Sequence, residues 1–209
     1  MEKPSYRGSA AVLVVDMLKD FFKGGSSTLP SVAPERGLES NIRVLVDTAH
    51  RLHVPVIYVN DNWKNPGETE IDPEFRVWGP HAIDGTEGAQ VVEGIEPTRP
   101  IDFIVHKHRY SGFFNTNLDT ILRELGVKTC IFSGVHTNCC VQHTVMDAFF
   151  RAYETVLVSD CCAAPTKEEH QQGIGYMKTY YGSKIIELKE ALNLLAMRAS
   201  PILATEEGR

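Results

Sequence analysis

The sequence predicts a three-layer α/β/α fold built on a mostly parallel sheet of about six strands. Short unbroken runs of apolar, β-prone residues recur along the chain, which suits strands buried on both faces. Amphipathic helix patterns stand between most of them, and such alternation favours parallel strands joined by helical crossovers.

The first run, 10–15 (AAVLVV), ends at Asp16. The second, 54–59, ends at Asn60, and the third, 101–105, at His106. The fourth, 129–132, runs into Ser133-Gly134, the fifth, 155–158, into Ser159-Asp160, and a weak sixth covers 184–187. Between them, 38–52 places Ile42, Leu45, Val46 and Ala49 on one stripe. Residues 118–125 do the same with Leu118, Ile121, Leu122 and Leu125, and Gly126 follows as a C-cap. Further helical patterns cover 141–152, 167–180 and 188–197. One stretch breaks the rhythm. Residues 61–100 are rich in Gly, Pro and charge, and are predicted to form a long functional loop near the site.

The 209 residues, 43% hydrophobic and 23% charged, are expected to fold as a single domain spanning 1–209. A net charge of -6, with only the brief His106–Arg109 basic stretch, argues against nucleic acid as a partner. No apolar stretch reaches the ~18 residues of a membrane span. The polar N-terminus does not read as a signal peptide, so a cytoplasmic protein is expected. The five cysteines, Cys130, Cys139, Cys140, Cys161 and Cys162, lack zinc-knuckle spacing and are expected to be free thiols.

Open α/β sheets bind ligands beyond the carboxyl ends of their strands. Asp16 ends the first strand, Lys107 follows the third, and the segment after the fourth leads through Cys139-Cys140 into a helix. A thiol at a helix start faces unpaired N–H groups, which favour the thiolate. A nearby lysine adds to this, and a carboxylate can take the proton. Taken singly, each residue has an ordinary explanation: a turn aspartate, a solvated lysine, a packed cysteine.

Three local motifs point to one family. The segments 14–21 (VVDMLKDF), 107–113 (KHRYSGF) with Thr116 and Leu118, and 134–141 (GVHTNCCV) with Asp147-Ala148 occur in that order. Together they resemble the motifs of isochorismatase-like cysteine hydrolases, the group that includes nicotinamidases and N-carbamoylsarcosine amidases. The resemblance spans about residues 10 to 190 and implies Asp16, Lys107 and Cys140 as a catalytic triad. It also implies a sheet order 3-2-1-4-5-6, a homodimer or homotetramer, and a non-proline cis peptide before His136. The backbone N–H groups of His136 and Cys140 would then form an oxyanion hole, with the His136 ring incidental.

The implied reaction is hydrolysis of a small amide or carbamoyl C–N bond through a thioester on Cys140, with no redox cofactor. Phe21, Trp78 and Tyr110 match positions that line the pocket in nicotinamidases. Those enzymes also bind a divalent metal. Asp61 and His81 match two of its ligands, but Trp63 stands where a histidine belongs, and Glu70 or Glu74 is a weak substitute. Indole has no lone pair to offer, so no metal is expected. Asn138 and Leu18 also depart from the nicotinamidase pattern. The alternatives are a nicotinamidase in the narrow sense, an isochorismatase-type vinyl-ether hydrolase that would not use Cys140, and a catalytically idle binding module.

Overall fold

The computed structural model describes residues 9–22, 30–32, 37–64, 72–98 and 100–199. Six strands form one sheet: β1 (Ala10–Val15), β2 (Val56–Asp61), β3 (Phe103–Lys107), β4 (Thr129–Val135), β5 (Glu154–Ala163) and β6 (Lys184–Ile186). Their order is β3-β2-β1-β4-β5-β6 and every pairing is parallel. The predicted order and layers are therefore observed, and the sheet is wholly rather than mostly parallel. All six residues of β1 are buried, because the central strand is covered on both faces.

The pleat of β1 sends Val12 and Val14 to one face and Leu13 and Val15 to the other. The first set packs with α1 (Leu38–Arg51) through Ile42 and Leu45. The last helix contributes Leu195 to the same core; its span, Leu188–Ala199, follows β6. Leu13 and Val15 share the opposite core with Leu118 and Leu122 of the helix Leu118–Glu124. Val145 of the helix Gln142–Phe150 and Met177 of the helix Lys167–Tyr181 complete it. A short helix, Pro73–Trp78, lies inside the stretch read as loop. In chain order these are α1, α2 (73–78), α3 (118–124), α4 (142–150), α5 (167–181) and α6 (188–199).

Several strand boundaries differ from the sequence reading, β4 among them, which runs on to Val135. β2 starts and ends two residues later, so Asn60 and Asp61 belong to it. β3 also starts two residues later and extends to include Lys107, which pairs in register with Asp61. β5 does not stop before Ser159-Asp160 but runs to Ala163. The register shift between Phe132 and Gly134 of β4 lets it continue, with Cys162 beside Gly134 and Ala163 beside Val135. Polar residues at a strand's carboxyl end had read as its termination; in the fold they are the last ladder positions before the site.

α2 has a start signal that apolar periodicity does not reveal. Asp72 is its N-cap, its carboxylate accepting from Glu74 N at 2.8 Å, and Pro73 occupies the first helical turn. Among the described residues, no helix is long and apolar enough to cross a membrane.

Candidate active site

Asp16 follows β1 with a φ of 47°, in the left-handed region that aspartate tolerates better than most residues. This turn directs its carboxylate across the sheet end, where it accepts a 2.7 Å hydrogen bond from the Asp61 backbone N–H. The parallel register beside it sets Lys107 next to Asp61. The Lys107 ammonium lies 2.7 Å from Asp16 Oδ2 and 2.6 Å from Asp61 Oδ1, with all three side chains closed off from solvent. Its Nζ also stands 3.6 Å from Cys140 Sγ.

Cys140 lies in a π-helical turn, Thr137–Val141, that leads directly into α4. Cys140 O accepts from Thr144 Oγ1 at 2.7 Å, and Thr137 Oγ1 pairs with His170 Nδ1 at 2.8 Å, tying the turn to α4 and α5. The turn can approach Asp16 because Gly134 has no side chain. A Cβ there would lie 2.0 Å from the Val15 carbonyl oxygen, and its φ is 109°. The peptide bond Val135–His136 is cis, at the position the family resemblance implied.

These proximities set the charges. Burial, then the nearby Asp61 carboxylate, raises Asp16 to about 7, against the opposing pull of Lys107. Burial alone would discharge Lys107, but Asp16 and Asp61 outweigh it and hold the ammonium well above its usual range. The expected lowering of the Cys140 thiol is not found. Its hydrogen bond with Cys139 and its complete burial hold it well above the ordinary thiol range, although Lys107 pulls the other way. Helix-start arguments assume a partly hydrated thiol without a competing partner; here the Cys139 hydrogen bond, then desolvation, win. The resting site therefore combines a neutral thiol with a carboxylate that can gain a proton near neutrality.

The thiol opens into a cavity of about 220 Å³, a size suited to a small molecule. Phe21, Trp78 and Tyr110, expected from the sequence to contact substrate, all line it. Trp78 Nε1 donates to the Tyr110 hydroxyl at 2.7 Å, bracing two of these rings. Glu74, His136, Asn138, Cys139 and Glu169 also line it. Glu169 was missed because its capping box with Thr166 reads as a helix start and nothing more.

Asp61, Glu74 and His81 converge behind this wall, with one ligand-type atom from each within 4.8 Å of the others. The His81 Nδ1 side is engaged by the Gly79 carbonyl at 2.9 Å, which leaves Nε2 facing Asp61 Oδ2 at 3.8 Å and Glu74 Oε1 at 3.7 Å. Asp61 Oδ2, Glu74 Oε2 and His81 Nε2 are buried without hydrogen-bond partners. Such a set of orphaned donors fits a divalent cation. Of the two glutamates named from the sequence as weak substitutes, Glu74 is the one that reaches this cluster, because α2 carries it back to the sheet. Trp63 packs beside His81, ring centroids 6.5 Å apart, and offers no ligand. Glu70, the other acidic candidate, lies outside the described residues.

A six-stranded parallel sheet with a buried thiol, lysine and carboxylate at its carboxyl edge defines an α/β protein with a hydrolase-type pocket. The chain belongs to the isochorismatase family, whose domain model matches residues 10–190. It is similar to the ureidoacrylate amidohydrolase RutB of Acinetobacter baylyi, with 31% identity over 195 residues, 82% of this chain and 78% of that one. Among solved structures it resembles N-carbamoylsarcosine amidase from Thermoplasma acidophilum, with 34% identity and a TM-score of 0.74. That match covers 86% of this chain and 96% of the other. It also resembles the pyrazinamidase of Pyrococcus horikoshii in complex with zinc, with 27% identity and a TM-score of 0.74, covering 86% and 99% of the two chains.

Proposed function

We propose that this protein is an amidohydrolase that cleaves a small amide or carbamoyl C–N bond with Asp16, Lys107 and Cys140 as its catalytic triad. The observation that carries the reading is Lys107 Nζ, wholly buried, lying 2.7 Å from Asp16 Oδ2 and 3.6 Å from Cys140 Sγ at the end of a small-molecule cavity. The names of the relatives support it, since ureidoacrylate and N-carbamoylsarcosine both present a carbamoyl group. Both also carry a carboxylate.

Asp16 accepts the thiol proton as Cys140 attacks the carbonyl carbon, and Lys107 offsets the growing negative charge on sulfur. The N–H groups of His136 and Cys140 receive the oxyanion. Asp16 then gives its proton to the departing nitrogen, leaving a thioester on Cys140. Water, deprotonated by Asp16, hydrolyses the thioester and restores the thiol. Protons balance over the cycle, and no electron carrier is required. Asp61, Glu74 and His81 would hold a divalent ion, which when bound supplies a Lewis-acidic anchor at the cavity wall.

An ammonia-release screen over small amides, ureas and carbamoyl acids tests the proposal. Release that depends on Cys140 is expected. Ammonia release that survives Cys140→Ser would remove the thiol from the chemistry, and the absence of any release would favour vinyl-ether hydrolysis, which yields no ammonia, or a binding module. The three-residue donor set specifically favours nicotinamidase activity as a second reading, so nicotinamide belongs in the screen.

A further inference from the structure

Resting on the amidohydrolase reading, we infer that the pocket selects amides without a carboxylate, neutral or cationic, and that the imidazole of His136 is a specificity-determining group that binds them. His136 is 7% exposed, and its Nε2 is buried without a hydrogen-bond partner while the ring lines the cavity beside Cys140. The ring is held edge-on to Phe21, centroids 5.6 Å apart. Burial, then the proximity of Lys107, lowers its pKa to about 4, so at neutral pH it is an uncharged hydrogen-bonding group rather than a cation. A buried polar atom left without a partner carries a desolvation cost unless a ligand completes it.

The rest of the wall points the same way. Among the described residues lining the cavity, none is arginine or lysine, whereas Glu74 and Glu169 both contribute carboxylates. Lys107 sits behind Cys140, with its charge already shared between Asp16 and Asp61. Arg109, from the same sequence motif, is turned to Asp72 at 2.6 Å. A divalent ion held by Asp61 and Glu74 would meet two negative charges with two positive ones and leave Glu169 uncompensated. Asn138 brings a further unpartnered oxygen, Oδ1, and the Tyr110 hydroxyl, which accepts from Trp78, still has its own proton to donate. Neutral acceptors with a few neutral donors match an amide or urea. A carboxylate would enter against the like charge of Glu169, with no arginine or lysine among the described lining residues to receive it. The chain would then differ in substrate class from ureidoacrylate and N-carbamoylsarcosine, the carboxylate-bearing compounds named for two of its relatives.

Matched probes decide this: propylurea against N-carbamoyl-β-alanine, and butyramide and β-alaninamide against succinamate. Binding is read on Cys140→Ser protein by ligand-observed NMR, so that nothing is consumed, and turnover on the wild type by ammonia release. The uncharged or cationic member of each set should bind at least about tenfold tighter than its carboxylate twin. Removing the imidazole in a His136→Ala background should weaken that member about tenfold and leave the carboxylate nearly unchanged. Glu169→Gln, which keeps an acceptor for Thr166 but removes the charge, should narrow the preference without loss of fold. Equal binding of the twins, tighter binding of the carboxylate, or no binding by any probe overturns the inference. Failure of the amidohydrolase reading looks different: ammonia release is absent across the panel while the binding preference is still measured.

Discussion

At the residue scale, the buried ion cluster ties the proposed chemistry to stability. Lys107 neutralises two carboxylates that have no access to water. Lys107→Ala should therefore cost about 3–5 kcal/mol, because it strands buried charge, in addition to removing turnover. The deficit should shrink at acid pH, where the stranded carboxylates bind protons. Chemical denaturation at pH 5 and pH 8 measures it, and an equal loss at both would contradict the charge account. Asp16 follows the same linkage. Its native pKa of about 7 lies above its ordinary value of 3.8, so the native state binds this proton more tightly than the unfolded state. The resulting stabilisation is present at acid pH and is lost as pH rises through about 7. Turnover has the opposite sense, because the proposed base must be ionised. In chelator-treated enzyme, kcat/KM should rise with pH along an acid limb near 7, a property of the Asp16–Cys140 pair. Asp16→Asn should lower turnover by ~10²–10⁴ and Cys140→Ser should abolish it, each with the fold intact by thermal melting. Near-normal turnover in either variant would remove that residue from the mechanism.

At the element scale, the strands were legible because a doubly covered sheet leaves continuous apolar runs, as in residues 10–15, whereas their order followed only from the family resemblance. The ends of the strands were less so. Asn60, Asp61 and residues 159–163 are polar or small, yet they continue the ladder, since the site itself is built from strand ends. Helix α2 was hidden for another reason: its six residues are too few to show a period, and only Asp72-Pro73 marks its start. That omission left Glu74 only a weak candidate beside Glu70, where the fold brings it to Asp61 and His81. Turnover is expected to persist after chelation, because no proposed step passes through an ion, whereas added zinc should bind and His81→Ala should abolish that binding. Metal analysis and calorimetry check the binding. Activity lost to chelation and restored by the ion would overturn metal independence. Gly134 is the element-scale constraint on the thiol. Gly134→Ala places a methyl against the Val15 carbonyl in a backbone conformation unfavourable for alanine, so β1 and β4 must part at the site. A loss of about 2 kcal/mol or more in stability is expected, with slower alkylation or turnover at Cys140.

At the scale of the whole molecule, the candidate site is a product of long-range topology. Asp16, Asp61, Lys107 and Cys140 are far apart in sequence and meet only because β3, β2, β1 and β4 are consecutive neighbours in the sheet. Their identities could be read from motifs, but the sharing of Lys107 between two carboxylates could not, since the in-register pairing of Asp61 with Lys107 is a property of the folded sheet. The two cores on opposite faces share β1, whose six residues belong to one or the other. This arrangement predicts that the site does not come apart ahead of the fold. None of the three residues of the proposed triad can leave its partners without shifting a strand end of the buried sheet or the turn that follows β4, where opening is costly. In urea titrations, the loss of turnover should therefore coincide with the loss of helical circular dichroism. Inactivation well before the helical transition would show that the turn carrying Cys140, or the segment carrying Glu74 and Trp78, opens independently, and that the site depends on local rather than global stability.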